Sequence, residues 1–183
     1  MSSPLRRCVF LDRDGVIIEA IVRNGKPYSA CVPEEIKIIS GVPEACIRLK
    51  AMGFLLVMTT NQPDVARGKI TRRFVEKTNE SLAAALGLDG VEACLHENAD
   101  GCSCRKPKPG LMVQAADRLG IDLSSSYAVG DRWRDIEAGR NAGCRTLFLD
   151  YGYDEAVETQ PDLVTDSLAS AAEWIEEQER KQQ

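Results

Sequence analysis

The sequence predicts an α/β fold with a mainly parallel sheet covered by helices on both faces. Short apolar runs alternate with segments of helical period from Cys8 to Ile175. Strand–helix–strand order of this kind implies right-handed crossovers between parallel strands. No repeat or low-complexity linker divides the 183 residues, so residues 1–183 read as one domain. Cys8-Val9-Phe10-Leu11, stopped by Asp12, reads as a buried strand. Leu55 to Met58 reads likewise and runs into Thr59-Thr60. Val91 to Leu95, Tyr127 to Val129, Thr146 to Leu149 and a short Asp162 to Val164 piece follow.

Helices fit between these strands. Val42, Ala45, Cys46 and Leu49 stand at i, i+3, i+4 and i+7, with Pro43 at the start and Gly53 past the end. Thr71 is the expected N-cap of a helix presenting Phe74, Val75, Thr78 and Leu82. A third helix carries Leu111 to Leu119 between Pro109 and Gly120, and a fourth runs from Trp133 to Asn141 before Gly143. Ser167 caps a last helix with Leu168, Ala171, Ala172 and Ile175 on its inner face, and Glu173 to Gln183 forms its polar tail. Gly15 to Ser40 and Asn98 to Lys108 read as long irregular loops. Such loops in a compact domain usually serve function.

Composition narrows the function classes. Lys plus Arg is 23 and Asp plus Glu is 28, a net charge of −5, which argues against electrostatic binding to nucleic acid or to an anionic membrane. A hydrophobic fraction of 44% argues against disorder. No apolar run has the length of a membrane span, and Met1 to Arg7 has no leader-like apolar stretch. The expected compartment is the cytoplasm, where the seven cysteines are thiols or metal ligands.

The polar residues that close the predicted strands carry the chemistry. Asp12 and Asp14, in Asp12-Arg13-Asp14-Gly15, project to one side of an extended segment. Gly130-Asp131 closes another strand, with Asp135 four residues on. Converging carboxylates repel unless a cation intervenes, and a hard oxygen-seeking ion such as Mg²⁺ suits them. Taken singly, Asp-Gly is also ordinary turn chemistry and an acid at a helix start is ordinary capping. Thr60-Asn61-Gln62 offers small donors at a strand exit, and Arg105-Lys106 precedes a helix N-terminus, a place for an anion.

Cys94, His96, Cys102 and Cys104 put four soft or borderline ligands within eleven residues, and His96 is the only histidine. Three thiolates and an imidazole make a closed tetrahedral zinc set, structural because no coordination position stays open. Cys8, Cys46 and Cys144 read as small core residues, and Cys31 lies in the first loop. Trp133 is expected to pack the start of its helix and Trp174 to lie in the core or an interface.

Asp12-Arg13-Asp14-Gly15, Thr60-Asn61-Gln62, Lys106 and Gly130-Asp131 with Asp135 resemble, in order, the four motifs of haloacid-dehalogenase-superfamily phosphatases. The Cys-x-His…Cys-x-Cys-Arg-Lys-Pro-x-Pro-Gly run resembles the zinc-bearing subgroup, which holds heptose bisphosphate and histidinol-phosphate phosphatases. Val65-Ala66-Arg67-Gly68 also matches the heptose enzymes. The resemblance implies a Rossmann-like three-layer sandwich without a large cap. It makes Asp12 the nucleophile and Asp14 the acid and base. It gives Thr60 and Lys106 the phosphate oxygens, and Asn61, Gln62, Arg67 and Arg105 the rest of the substrate. Mg²⁺ is expected on Asp12, the Asp14 carbonyl and Asp131, with Asp135 orienting Lys106 or a metal-bound water, and Zn²⁺ on the Cys/His set. The first loop, Ile18 to Ser29, departs from the heptose enzymes, and Arg23, Lys26 and Tyr28 are its candidates for a second phosphate or a sugar hydroxyl. The implied substrate is a small phosphorylated sugar, with a heptose bisphosphate ahead of histidinol phosphate, and the implied state a monomer, or a weak dimer through the tail. A phospho-receiver domain and a zinc-organised interaction module are the readings from other classes.

Overall fold

A computed structural model describes residues 5–181. The first four residues of the N-terminal run and the last two of the polar tail lie outside them. Strands β1 (Cys8–Leu11), β4 (Leu55–Asn61), β5 (Gly90–Cys94), β6 (Tyr127–Gly130), β7 (Arg145–Leu149) and β8 (Leu163–Thr165) form one parallel sheet. Their order is β5-β4-β1-β6-β7-β8. Helices α1 (Val42–Ala51), α2 (Arg72–Leu86) and α5 (Leu168–Lys181) cover one face, and α3 (Gly110–Leu119) and α4 (Trp133–Ala142) the other. The fold is therefore the expected three-layer, Rossmann-like sandwich.

The period-2 geometry of a strand explains the two cores. Val9 and Leu11 of β1 and Leu56 and Met58 of β4 point toward α1, α2 and α5. Cys8, Phe10, Leu55 and Val57 point the other way, toward Met112 and Ala115 of α3 and Ala138 of α4. Full burial of such side chains stabilises by roughly 1.5–3 kcal/mol each. Cys46 joins the first core, and Cys8 and Cys144 the second, as expected. Trp174 packs edge-on against Tyr127, with centroids 6.3 Å apart. The Thr71 hydroxyl accepts from the Phe74 N–H at 3.1 Å, and the Ser167 hydroxyl from the Ser170 N–H at 3.2 Å, so both predicted caps form. Among the described residues no helix is long and apolar enough to cross a membrane.

Two expectations need correction. Gly15 to Ser40 is not irregular: it holds an antiparallel hairpin, β2 (Ile21–Arg23) and β3 (Lys26–Tyr28), and a 3₁₀ turn at Pro33–Glu35. The hairpin turns on Asn24 and Gly25, both at positive φ, as a tight two-residue turn requires. Strand β5 ends at Cys94, so Leu95 falls beyond it.

The chain leaves β1 for β4 on one side and returns to β6 on the other. Strand order thus reverses at β1, and ligands in open parallel sheets bind at such a point, beyond the carboxyl ends of the strands. Asp12, Asn61 and Asp131 stand at the ends of β1, β4 and β6.

Candidate active site

A cleft of about 240 Å³ opens at this switch point, with Asp12, Asp14, Lys106, Asp131 and Asp135 among its walls. Backbone chemistry permits the crowding. Gly15 has φ +89°, and a Cβ there would meet Asp131 Oδ2 at 1.9 Å. A Cβ on Gly130 would stand 2.0 Å from that of Asp135. Only glycine lets these acids close in.

Lys106 is 3% exposed and reaches across the floor. Its Nζ donates to Asp12 Oδ1 at 2.7 Å and to the Thr59 carbonyl at 2.9 Å, and lies 2.6 Å from Asp135 Oδ1. The Asn61 side chain fixes that lysine by gripping its backbone: Nδ2 donates to the Lys106 carbonyl at 3.0 Å and Oδ1 accepts from its N–H at 3.1 Å. Burial raises the Asp12 pKa to about 7 against the pull of Lys106, with Asp135 and Asp14 adding to the rise. Burial opposes the charge on Lys106, but the attraction of Asp12 and Asp135 outweighs it and raises its pKa.

Carboxylate oxygens of Asp12, Asp131 and Asp135 lie within 4.8 Å of one another. One lysine against three carboxylates leaves a charge of −3 + 1 = −2 when all are ionised. Among the described residues neither buried Asp131 oxygen receives a hydrogen bond of good geometry. Burial, then the charges of Asp12 and Asp135, push the Asp131 pKa well up, although the nearby Tyr153 hydroxyl opposes the rise. An unpaired buried carboxylate is costly. A hard divalent cation satisfies those oxygens and that charge, so the residues fit magnesium.

Asp14 lines the same cleft as Asp12, as expected, and its charge reaches Asp12, but its carboxylate is not one of the three gathered oxygens. It accepts from Arg13 Nε and Nη2 at 3.1 and 3.2 Å, from Gln62 Nε2 at 2.8 Å and from the Ala30 N–H at 3.2 Å. Gln62 and Thr60 need correction. Expected at the substrate, both are almost fully buried and neither lines the cleft. Gln62 Nε2 donates to Thr60 Oγ1 at 2.8 Å as well as to Asp14. A strand alternates its faces, so consecutive residues of a motif cannot all turn to the ligand.

Arg67 and Arg105 do reach the rim. Arg67 pairs with Asp64 at 3.2 Å and Glu97 at 3.4 Å, and Arg105 donates to Asn98 Oδ1 at 2.7 Å and the His96 carbonyl at 3.2 Å. Lys26 and Tyr28 of the hairpin line the cleft, but Arg23 does not. Sequence reasoning missed Arg13, Asn79, Arg132 and Arg134. Arg132 and Arg134 also line the cleft, and flank Trp133 directly after a strand-end acid, which was the available signal. Arg132 donates to Glu155 Oε2 at 2.8 Å, while Arg134 lies 4.9 Å over the Trp133 ring. Arg13 is fully buried, and its Nη1 donates to Asn79 Oδ1 at 3.2 Å.

Cys94, His96, Cys102 and Cys104 converge beside the cleft. Sulfur–sulfur separations are 3.7 Å (Cys94–Cys102) and 3.5 Å (Cys102–Cys104), and His96 Nδ1 lies 3.6 Å from Cys94 and 3.3 Å from Cys104. Zinc bonds of about 2.3 Å to sulfur and 2.0 Å to nitrogen give tetrahedron edges of roughly 3.5–3.8 Å, so the donors suit that ion. Burial, then hydrogen bonding and charge from the neighbouring Cys94 and Cys102, push the Cys104 thiol up to about 12, and a bound cation would offset that cost of the thiolate.

The family model described as HAD-hydrolase-like matches residues 103–171. The D-glycero-β-D-manno-heptose-1,7-bisphosphate 7-phosphatase of Escherichia coli K12 is 36% identical, the match covering 96% of each chain. That of Yersinia pestis is also 36% identical, over 91% of this chain and 88% of its own. The chain belongs to the haloacid-dehalogenase-like hydrolases. Within that family, the D,D-heptose 1,7-bisphosphate phosphatase of B. bronchiseptica, solved with magnesium and phosphate, superposes with a TM-score of 0.76. It is 30% identical, over 94% of this chain and 99% of its own. The Burkholderia thailandensis phosphatase of the same name gives 0.61 at 27% identity, over 91% and 96%. This family member is thus a phosphatase-type hydrolase by descent and by fold.

Proposed function

We propose that the chain, working as one domain and as a monomer, is a magnesium-dependent phosphatase of D-glycero-D-manno-heptose 1,7-bisphosphate that releases the phosphate at C7. The observation that carries this reading is the gathering of Asp12, Asp131 and Asp135 around Lys106 at the ends of adjacent strands. The relatives named for that substrate support the sugar.

In this reading Asp12 attacks phosphorus and the bond from phosphorus to the C7 oxygen breaks. Asp14, on the cleft wall, gives its proton to the leaving oxygen and then takes one from the water that attacks the phospho-aspartate. The second step releases inorganic phosphate and restores Asp12. Lys106 holds Asp12 Oδ1, orients the other oxygen and meets the negative phosphoryl group. Asp135 and Asn61 keep that lysine in place. Asp12, Asp131 and the Asp14 carbonyl would hold magnesium, which would supply positive charge to offset the negative charge of the carboxylates and the phosphoryl group. Arg67, Arg105 and Lys26, with Arg132 and Arg134, ring the cleft mouth for the second phosphate. The four zinc donors brace the loop that delivers Arg105 and Lys106. The reading fits a reducing cytoplasm, where the zinc-site cysteines stay reduced and free to bind the ion as thiolates.

A kinetic panel with magnesium tests it. The β and α anomers of the heptose bisphosphate, fructose 1,6-bisphosphate and histidinol phosphate are compared by kcat/KM. The expected result is a heptose anomer ahead of all others by about tenfold or more, the discrimination that a lost charged or hydrogen-bonded contact produces. A higher value for histidinol phosphate would overturn the sugar assignment, and no magnesium-dependent turnover at all would overturn the enzyme.

A further inference from the structure

Asp14 is held by groups that the proposed reaction has not used. Arg13, fully buried, sets two nitrogens against the two Asp14 oxygens, a bidentate grip that fixes the plane of the carboxylate. A buried guanidinium leaves its remaining N–H groups to be satisfied by protein. Asn79 does this for Nη1, its Oδ1 accepting at 3.2 Å. It is 5% exposed and projects from the inner face of α2. It does not line the cleft.

Helix α2 also turns Val75, Thr78, Leu82 and Leu86 inward, a mainly apolar stripe. A buried amide on such a stripe is disfavoured unless it makes a specific bond, and Asn79 accepts one from Arg13. The chain of contacts therefore runs from a helix outside the cleft, through one arginine, to the carboxylate that faces the leaving group. We infer that Asn79 is a positioning residue for Asp14, acting through Arg13; this rests on the reading of Asp14 as the acid.

Leaving-group dependence separates this role from a merely structural one. A sugar alkoxide needs a proton to depart, whereas p-nitrophenolate departs without one. Asn79→Leu removes the acceptor, and misplacing an acid costs about tenfold or more where its proton is needed. In the magnesium-loaded enzyme, kcat/KM, which reports only the steps through departure of the leaving group and not the shared hydrolysis of the phospho-aspartate, should fall about tenfold on the best sugar phosphate of the panel. On p-nitrophenyl phosphate it should fall less than threefold, which also reports an intact fold. Asn79→Asp, which keeps an acceptor, should recover most of the sugar-phosphate rate. If Asn79→Leu does not fold, Asn79→Ala is measured in the same way. An equal loss on both esters, or no loss on either, overturns the inference. Asp14→Asn is run alongside. If that variant also loses both activities equally, the assignment of Asp14 as the acid falls; if it is selective and the Asn79 variants are not, the inference about Asn79 alone falls.

Discussion

Asp12 and Asp131 are carboxylates in surroundings that oppose their charge, and each is tolerable only because of what stands beside it. Lys106 offsets the first; the second, with no well-formed hydrogen bond among the described residues, calls for a cation. These acids were legible in the sequence because each directly follows an apolar run that could only be a strand. The supporting groups were not. Gln62 was read as a ligand contact and proves to be a buried brace, since a sequence shows that a residue is polar but not which way it faces. Asn79 was hidden on a helix stripe that reads as core. Cys46 shows the opposite case, an apolar context read correctly, and it has a consequence for stability. Burial, against a small opposing effect of Lys50, lifts its thiol from an ordinary value near 9.0 to about 11. The folded chain therefore keeps that proton more tightly than the unfolded chain. The contribution is complete below pH 9 and is lost as pH rises toward 11. Between pH 8 and pH 10 the unmodified protein should lose about 1 kcal/mol more unfolding free energy than Cys46→Ala, measured by urea denaturation. Equal losses would contradict the burial argument.

Strands and helices were legible where they are long or buried on both sides. β1, β4, β6 and β7 were visible as apolar runs, and each of the five helices as a capped or periodic segment. The hairpin was not, because strands of three residues are too short to show alternation and Asn24-Gly25 was their one mark. That hairpin brings Lys26 and Tyr28 to the cleft, so the missed element matters to the site. The loop between β5 and α3 is a different case. It has little apolar content, and only a 3₁₀ turn at Asn98–Asp100 gives it regular structure. Its order is expected to come from zinc. Treatment with 1,10-phenanthroline in excess magnesium should remove one zinc per chain and lower the melting midpoint by about 5 °C or more. The amide protons around Cys102 and Cys104 should exchange faster. An unchanged midpoint after verified zinc loss would contradict a structural role.

For the whole molecule, the strand order decides where chemistry can occur. Because β1 lies between β4 and β6, three sequence motifs up to 119 positions apart (Asp12 to Asp131) meet at one edge. The alternation of strand and helix announced the sheet, while the cleft's arginine rim depended on how the loops fold over it and stayed unread. The central claim is that this arrangement lets Asp12 carry the phosphoryl group between two half-reactions. Rapid acid quench during turnover, borohydride reduction and peptide mass spectrometry locate an acyl phosphate by converting its aspartate to homoserine. The account predicts homoserine at position 12. Homoserine at another aspartate, or at none while the enzyme is turning over in a steady state that accumulates the intermediate, would contradict it.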